Sequence, residues 1–340
     1  MSNTTPTSDA SGGQLICPLL QMMKEHRLNN NTQANLVVVC IHGLVSCLGI
    51  LENALILWVV GFCLRRHTVA SVWVLNLATS DFLATLTLPF FTFYLSSSHS
   101  WELGSLLCKT QASIFFLNMY VSAFLLAAIS VDRCLLAAKP VWSQNHRSVA
   151  GAWKVCALGW LWAVINTLPY FLFRSVTEKQ DGRKLCYHNF ALYTSSLERD
   201  CKVRQAATAI SKLLLAFLFP LVVIAGSYIQ IVLSLRSRTR RRNFTKMVTF
   251  VIAAFVLCWA PYHIFCVIEV TAQYWPKNLD LVEVGLPLID IKLLQTFICG
   301  TQWMNLIDFG DPLTFPQHLC FLLKYLNIGW IAVTCKFPRG

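Results

Sequence analysis

What most restricts this chain is a succession of apolar runs, each about as long as a lipid bilayer is thick. Six can be read, at 36–63, 69–95, 107–137, 155–173, 206–235 and 247–271. A helix crosses the hydrocarbon core with roughly 20 mostly apolar residues, so each run is long enough. The third and fifth exceed that length, which permits tilt or extension past the bilayer. Composition agrees. The chain is 56% hydrophobic and only 13% charged, where soluble domains sit near ~25% charged. Its mean hydropathy is +0.55. The expected fold is an all-α membrane protein.

Charge placement sets the orientation. Arg65, Arg66 and His67 follow the first run, and Lys139, Arg147 and Lys154 lie between the third and fourth. The stretch 236–246 carries six basic residues and no acid, whereas the loop 174–204 mixes seven basic with four acidic residues. Short loops rich in Lys and Arg stay cytoplasmic, so the N-terminus is expected outside. Two glycosylation sequons, at Asn3 and Asn30, suit that side; the sequon at Asn243 falls on the wrong side and should be unused. The polar start lacks a basic-then-apolar leader, so the first span is expected to direct its own insertion. The expected division is an extracellular segment 1–35, a membrane domain 36–288 and a divergent segment 289–340. The net charge of +12 is accounted for by the basic loops, so nucleic acid is not an expected partner.

Ionisable groups inside a span are costly and mark function by default. Asp81 lies mid-span in "LNLATSDFLATLTLP", as a cation or switching site or as a structural carboxyl bonded to neighbours such as Asn53. Lys212 lies one to two turns inside the outer end of the fifth span. It either snorkels to the interface or faces the bundle interior, ready for an anionic ligand. Asp132 and Arg133 close the inner end of the third span, as an interfacial pair or a lock. Pro89, Pro169, Pro220 and Pro261 interrupt four spans, and Trp259 and Tyr262 flank the last of these kinks, as core packing or as a moving part. Cys17, Cys186 and Cys201 lie in oxidising territory and Cys108 at its edge, so disulfides are permitted, but spacing alone does not give their connectivity. No inverted repeat, no His/Glu metal pair within spans and no nucleophile–base set is present, which argues against a transporter or an enzyme.

These features together resemble the rhodopsin-like (class A) G-protein-coupled receptors. The matching motifs are Asn53, "LATSD" ending at Asp81, Cys108 opening the third span, "DRC" at Asp132, Arg133 and Cys134, Trp160, Pro220 followed by Tyr228, and "CWAP" in the sixth span. Further stretches, "HSWELG", "SIFFLNM", "PVWSQNHR" and "CWAPYH", are similar to the chemoattractant branch that responds to prostaglandin D2. The resemblance implies a seven-transmembrane bundle at the plasma membrane and an anionic lipid ligand such as prostaglandin D2. It also implies an inhibitory heterotrimeric G protein as partner and leukocyte chemotaxis as the outcome. It implies disulfides Cys108–Cys186 and Cys17–Cys201. Lys212, Arg174 and Tyr262 would hold the ligand carboxylate, with Tyr187, Phe115, Phe116 and Trp259 along its apolar part. Asp132, Arg133 and Tyr228 would form the G-protein switch, with Asp132 as Arg133's partner in the resting state. Asp81, Asn118 and Ser122 would hold an allosteric sodium ion, and no other cofactor or metal is implied.

The chain departs from the pattern at Cys134, usually Tyr, and at Gln111 and His188, where this branch carries His and a second Tyr. The larger departure comes after Leu288. The motif Asn/Asp-Pro-x-x-Tyr should put its proline near position 301, where the chain has Thr301. Asp290, Lys292, Asp308 and Asp311 interrupt what should be the seventh span, and Lys292 on so poor a span gives no ground for a retinal pigment. The seventh helix is therefore expected to be aberrant or incomplete, with signalling impaired and arrestin not an expected partner of this tail. The alternative is a non-signalling truncated variant that retains or modulates the full-length receptor.

Overall fold

A computed structural model describes residues 17–25, 32–64, 66–193, 197–234 and, with breaks, 252–271. The sequons at Asn3, Asn30 and Asn243, Arg65, the basic stretch 236–246 and everything after 271 lie outside the described residues.

The order is α1 (Pro18–Glu25), α2 (Thr32–Trp58, continued by a π-helical turn Val59–Cys63), α3 (Val69–Thr85), α4 (Leu88–Ser96), α5 (Gly104–Ala138), α6 (Pro140–His146) and α7 (Val149–Leu172). Then come strands β1 (Arg174–Glu178) and β2 (Lys184–His188), α8 (Leu197–Ser211, continued by a π-helical stretch Lys212–Leu218) and α9 (Phe219–Ser234). A further apolar helix, α10, covers Phe255–Ile268. Among the described residues, five helical stretches are long and apolar enough to cross a membrane: Leu36–Cys63, Val69–Ser96, Gly104–Ala138, Val149–Leu172 and Arg199–Ser234.

Local chemistry sets the boundaries. Thr68 and Ser71 cap α3 reciprocally, Thr68 Oγ1 accepting from Ser71 N at 3.1 Å and Ser71 Oγ from Thr68 N at 2.8 Å. The second span breaks at Leu86 and Thr87, and Pro89 sits in the first turn of α4, where its missing N–H costs nothing. Thr85 and Thr87 hydroxyls donate to the Phe82 and Ala84 carbonyls at the break. Ser148 caps α7 by accepting from Gly151 N at 3.1 Å. That cap starts the fourth span at 149 rather than at the expected 155. Likewise α8 runs outward to Leu197 rather than 206. Helical hydrogen bonding continues past the apolar boundary, which hydropathy cannot show.

The central member is α5, packed against α3, α7 and α9, with Tyr120, Met119 and Leu125 wholly enclosed. A Cβ at Gly159 would fall 2.4 Å from the Phe124 ring, so glycine is what lets α7 approach α5. The Trp160 indole donates to Asn76 Oδ1 at 3.1 Å and ties α7 to α3. Many large apolar side chains, Leu51, Leu158, Phe219 and Val222 among them, are exposed. On a membrane-spanning bundle these face lipid.

Outside the spans the fold is not purely helical. β1 and β2 pair antiparallel, Arg174 opposite His188 and Glu178 opposite Lys184, joined by a turn in which Gly182 adopts φ 81°. Arg183 pairs with Asp181 there and holds its carboxyl down at about 2. Two disulfides anchor this cover: Cys108–Cys186 ties the hairpin to α5, and Cys17–Cys201 ties α1 to α8. Both pairings that the resemblance implied are present.

Candidate functional site

Under the hairpin, four helices converge on one ammonium group. Lys212 opens the π-helical stretch that precedes Pro220. A widened turn absorbs the bond and the space that a proline removes from a helix, and each extra residue rotates the preceding face by about 100°. Lys212 is 7% exposed and does not snorkel. Its Nζ lies 3.3 Å from Tyr262 Oη and 3.3 Å from Cys266 Sγ. The rings of Tyr262, Phe116 and Tyr170 surround it at 5.4, 5.5 and 5.9 Å, within cation–π range. Among the described residues no carboxylate pairs with it. A buried cation without a counter-ion is costly, and aromatic faces offset only part of that cost.

The walls are aromatic. Phe116 stacks on Tyr170 at 3.7 Å between ring centroids. Phe115 meets Phe116 edge-on at 5.2 Å and Tyr262 at 6.3 Å. Trp259 lies deeper, against Phe255 and His263, and His263 in turn touches Tyr262 and Phe217. From the hairpin, Arg174 reaches Cys186 Sγ at 3.4 Å and lies over the Tyr187 ring at 5.7 Å. His188, opposite Arg174 in register, meets Phe116 at 5.9 Å and Tyr170 at 5.6 Å. Its Nδ1 is buried without a partner among the described residues. Burial, then the charges of Arg174 and Lys212, hold its imidazole well below the ordinary value. The structure thus brings Lys212, Tyr262, Phe115, Phe116, Arg174 and Tyr187 to one end of the bundle, with Trp259 beneath. Sequence reasoning missed Tyr170 and Cys266 here. Tyr170 follows Pro169 as Tyr262 follows Pro261, and Cys266 stands four residues from Tyr262 on the same helix face; both signals were present.

A second cluster lies deeper. Asn118 Nδ2 donates to Asp81 Oδ1 at 2.7 Å, to Ser80 Oγ at 3.0 Å and to Ser122 Oγ at 3.2 Å, and Ser122 Oγ donates to the same carboxylate oxygen at 3.3 Å. Asn53 is not among Asp81's partners, because its amide donates to Gly49 O at 2.9 Å within α2. Asp81 Oδ2 is buried and without a partner among the described residues. One free carboxylate oxygen beside two hydroxyls is an oxygen-donor set suited to a hard cation.

At the far end of α5 the expected Asp132–Arg133 pair is not formed. Asp132 spends both oxygens on Arg147, whose Nε and Nη2 donate to them at 2.8 Å each. The planar guanidinium matches a carboxylate in two places, and α6 carries Arg147 back onto α5. Tyr228, on α9, packs on the core near Ser130 and Arg133.

The family described as "7 transmembrane receptor (rhodopsin family)" matches residues 52–289, and the match stops where the sequence resemblance does. The rat protein named prostaglandin D2 receptor 2 is 49% identical over 283 residues, covering 81% of this chain and 70% of that one. Its mouse counterpart is also 49% identical, with 73% of its length covered. Rat chemerin-like receptor 1 is 35% identical over 319 residues, 85% of each chain.

Proposed function

Because the chain belongs to the rhodopsin family of seven-transmembrane receptors, and is thus a multi-pass membrane protein and not an enzyme, we propose that it binds prostaglandin D2 or a closely related anionic lipid. The observation that carries this reading is the buried Lys212 ammonium, caged by aromatic rings and lacking a carboxylate among the described residues. Prostanoids have one carboxylate and a long apolar body. The carboxylate supplies the missing counter-ion to Lys212, with Arg174 at the entrance and Tyr262 donating from the side. Phe115, Phe116, Tyr170 and Tyr187 take the apolar part, and Trp259 senses its depth. A charge-assisted contact inside an apolar site is the strong anchor.

The remaining assignments are part of the same proposal. The segment 1–35 is extracellular and glycosylated at Asn3 and Asn30, 36–288 is the transmembrane domain, and 289–340 stands outside it. The receptor couples through Arg133 and Tyr228 to an inhibitory heterotrimeric G protein in leukocyte chemotaxis, with Asp132 held at rest by Arg147. Asp81, Asn118 and Ser122 hold a sodium ion.

The family match ends at residue 289; we propose that the seventh helix and its inner motif are altered and that signalling is weak. In cells expressing only this chain, prostaglandin D2 is expected to give little suppression of cAMP and little calcium release. Strong responses would remove the impairment reading. The second reading, retention of a full-length receptor, predicts fewer surface copies of that receptor on co-expression.

His188 makes the binding pH-dependent. Unliganded, it is neutral at pH 7.4. An arriving carboxylate favours the imidazolium and raises its pKa, so binding takes up a proton. Affinity should therefore be higher at pH 5.5 than at pH 7.4. His188→Tyr should flatten that profile in a radioligand assay; an unchanged slope would remove His188 from the site.

A further inference from the structure

We propose that Cys266 captures lipid enones covalently. An α,β-unsaturated ketone on an apolar chain enters the aromatic cage, and its β-carbon adds to the Cys266 sulfur while Lys212 acts on the carbonyl oxygen. Cys266 is 4% exposed and outside both disulfides. Lys212 Nζ donates to its sulfur at 3.3 Å. An adjacent cation is what turns a cysteine from a small hydrophobe into a nucleophile. Cys40, Cys47, Cys63, Cys134 and Cys156 are also outside disulfides, and among the described residues none of them has a cation at hydrogen-bond distance.

Two further groups beside the sulfur call for an occupant. Lys212 is buried with no carboxylate partner among the described residues. His263 is 2% exposed, and neither of its ring nitrogens is bonded among the described residues. It stands three residues before Cys266 on the same helix face, against Tyr262 and Phe217. Buried polar groups left unpaired are costly, so an oxygenated lipid is favoured over plain hydrocarbon. The stacked rings of Phe116 and Tyr170 accept its apolar chain. The Lys212–Cys266 pair selects the enone. The carbonyl oxygen accepts from Lys212 Nζ while the β-carbon comes within about 3.5 Å of Cys266 Sγ, a near-attack arrangement. The step conserves atoms and needs no oxidant. A sulfur lone pair forms the S–C bond, the C=C π pair moves onto the oxygen as an enolate, and the Lys212 ammonium protonates that oxygen. The S–H proton restores the Lys212 ammonium, and the enol returns to the ketone by moving its proton to the α-carbon. A donor fixed where the oxyanion develops is the main source of acceleration. The product is a thioether that stays in the cage. The inference uses the cage described above but no ligand carboxylate.

The test incubates the full chain, in phosphatidylcholine nanodiscs, with an alkyne-tagged alkyl vinyl ketone and follows each cysteine by peptide mass spectrometry. Cys47, which is exposed on the lipid side of α2, is the reference within the same molecule. Cys266 is expected to react about 100-fold faster than Cys47 and to gain the full mass of the reagent. Lys212→Met should bring the Cys266 rate down to about that of Cys47, whose own rate should not change. The saturated ketone of the same length should leave Cys266 unmodified. Equal rates at Cys266 and Cys47 in the wild type would overturn the proposal without recourse to any variant. So would an unchanged Cys266 rate in Lys212→Met, or a product on Lys212 that has lost water, the mark of an imine. The reagent carries no carboxylate, so failure here is separable from failure of prostaglandin D2 to bind.

Discussion

Replacing Lys212 with methionine is expected to weaken prostaglandin D2 binding by about 100-fold or more, because a ligand carboxylate is then desolvated with no partner. The same change should leave thermal stability unchanged or raise it. Lys212 is buried among Phe116, Tyr170, Tyr262 and Cys266 with no carboxylate among the described residues, and an apolar side chain of similar length removes the cost of keeping a charge there. Opposite movement of affinity and stability is the signature of a functional cation. A purely structural lysine would lose both together. Lys212→Arg should retain part of the affinity, since the charge is kept but the broad guanidinium fits the aromatic cage poorly.

The second large effect concerns the cover over the site. Cys108→Ser with Cys186→Ser should cost about 2–5 kcal/mol and abolish binding, with most of the protein failing to reach the surface. This bond joins residues 78 apart in sequence and fixes β2, so it sets the positions of His188 directly and of Arg174 through the strand register. Cys17→Ser with Cys201→Ser spans 184 residues but holds α1 against α8, away from Lys212. It should act on ligand exchange more than on affinity, speeding both association and release. Flow cytometry and radioligand kinetics on the two double variants separate these outcomes; equal loss of binding in both would show that α1 also shapes the pocket.

How much of this was legible beforehand follows from what lipid demands. A bilayer enforces long apolar runs, so the positions of the spans were plain, and their ends were misjudged where Ser148 and the segment from Leu197 extend helices into water. An intramembrane charge is rare, so Lys212 and Asp81 stood out at once. The direction in which Lys212 points did not, because the phase of its helix depends on a π-helical stretch that no periodicity reveals. Partnerships across the fold were the hardest to read. In the sequence Arg147 reads only as a basic loop residue, yet a short helix returns it to Asp132 across fifteen positions and displaces the expected neighbour pair. Asn53 was a reasonable partner for Asp81 by position in the first span, but its amide is taken by Gly49. Tyr170 joins the cage from a fourth span in which the sequence marks Pro169 only as a kink. The two disulfides came from resemblance, since four cysteines permit three pairings and spacing does not choose among them.

The account rests on a carboxylate meeting Lys212. The most direct measurement pairs a change in the ligand with a change in the protein. Binding of prostaglandin D2 and of its methyl ester is compared on the wild-type chain and on Lys212→Met. The ester should bind the wild type about 100-fold more weakly than the acid, and the two should bind Lys212→Met almost equally, because the contact they differ in is gone. If esterification costs as much on Lys212→Met as on the wild type, the carboxylate is held elsewhere and the proposed site is wrong.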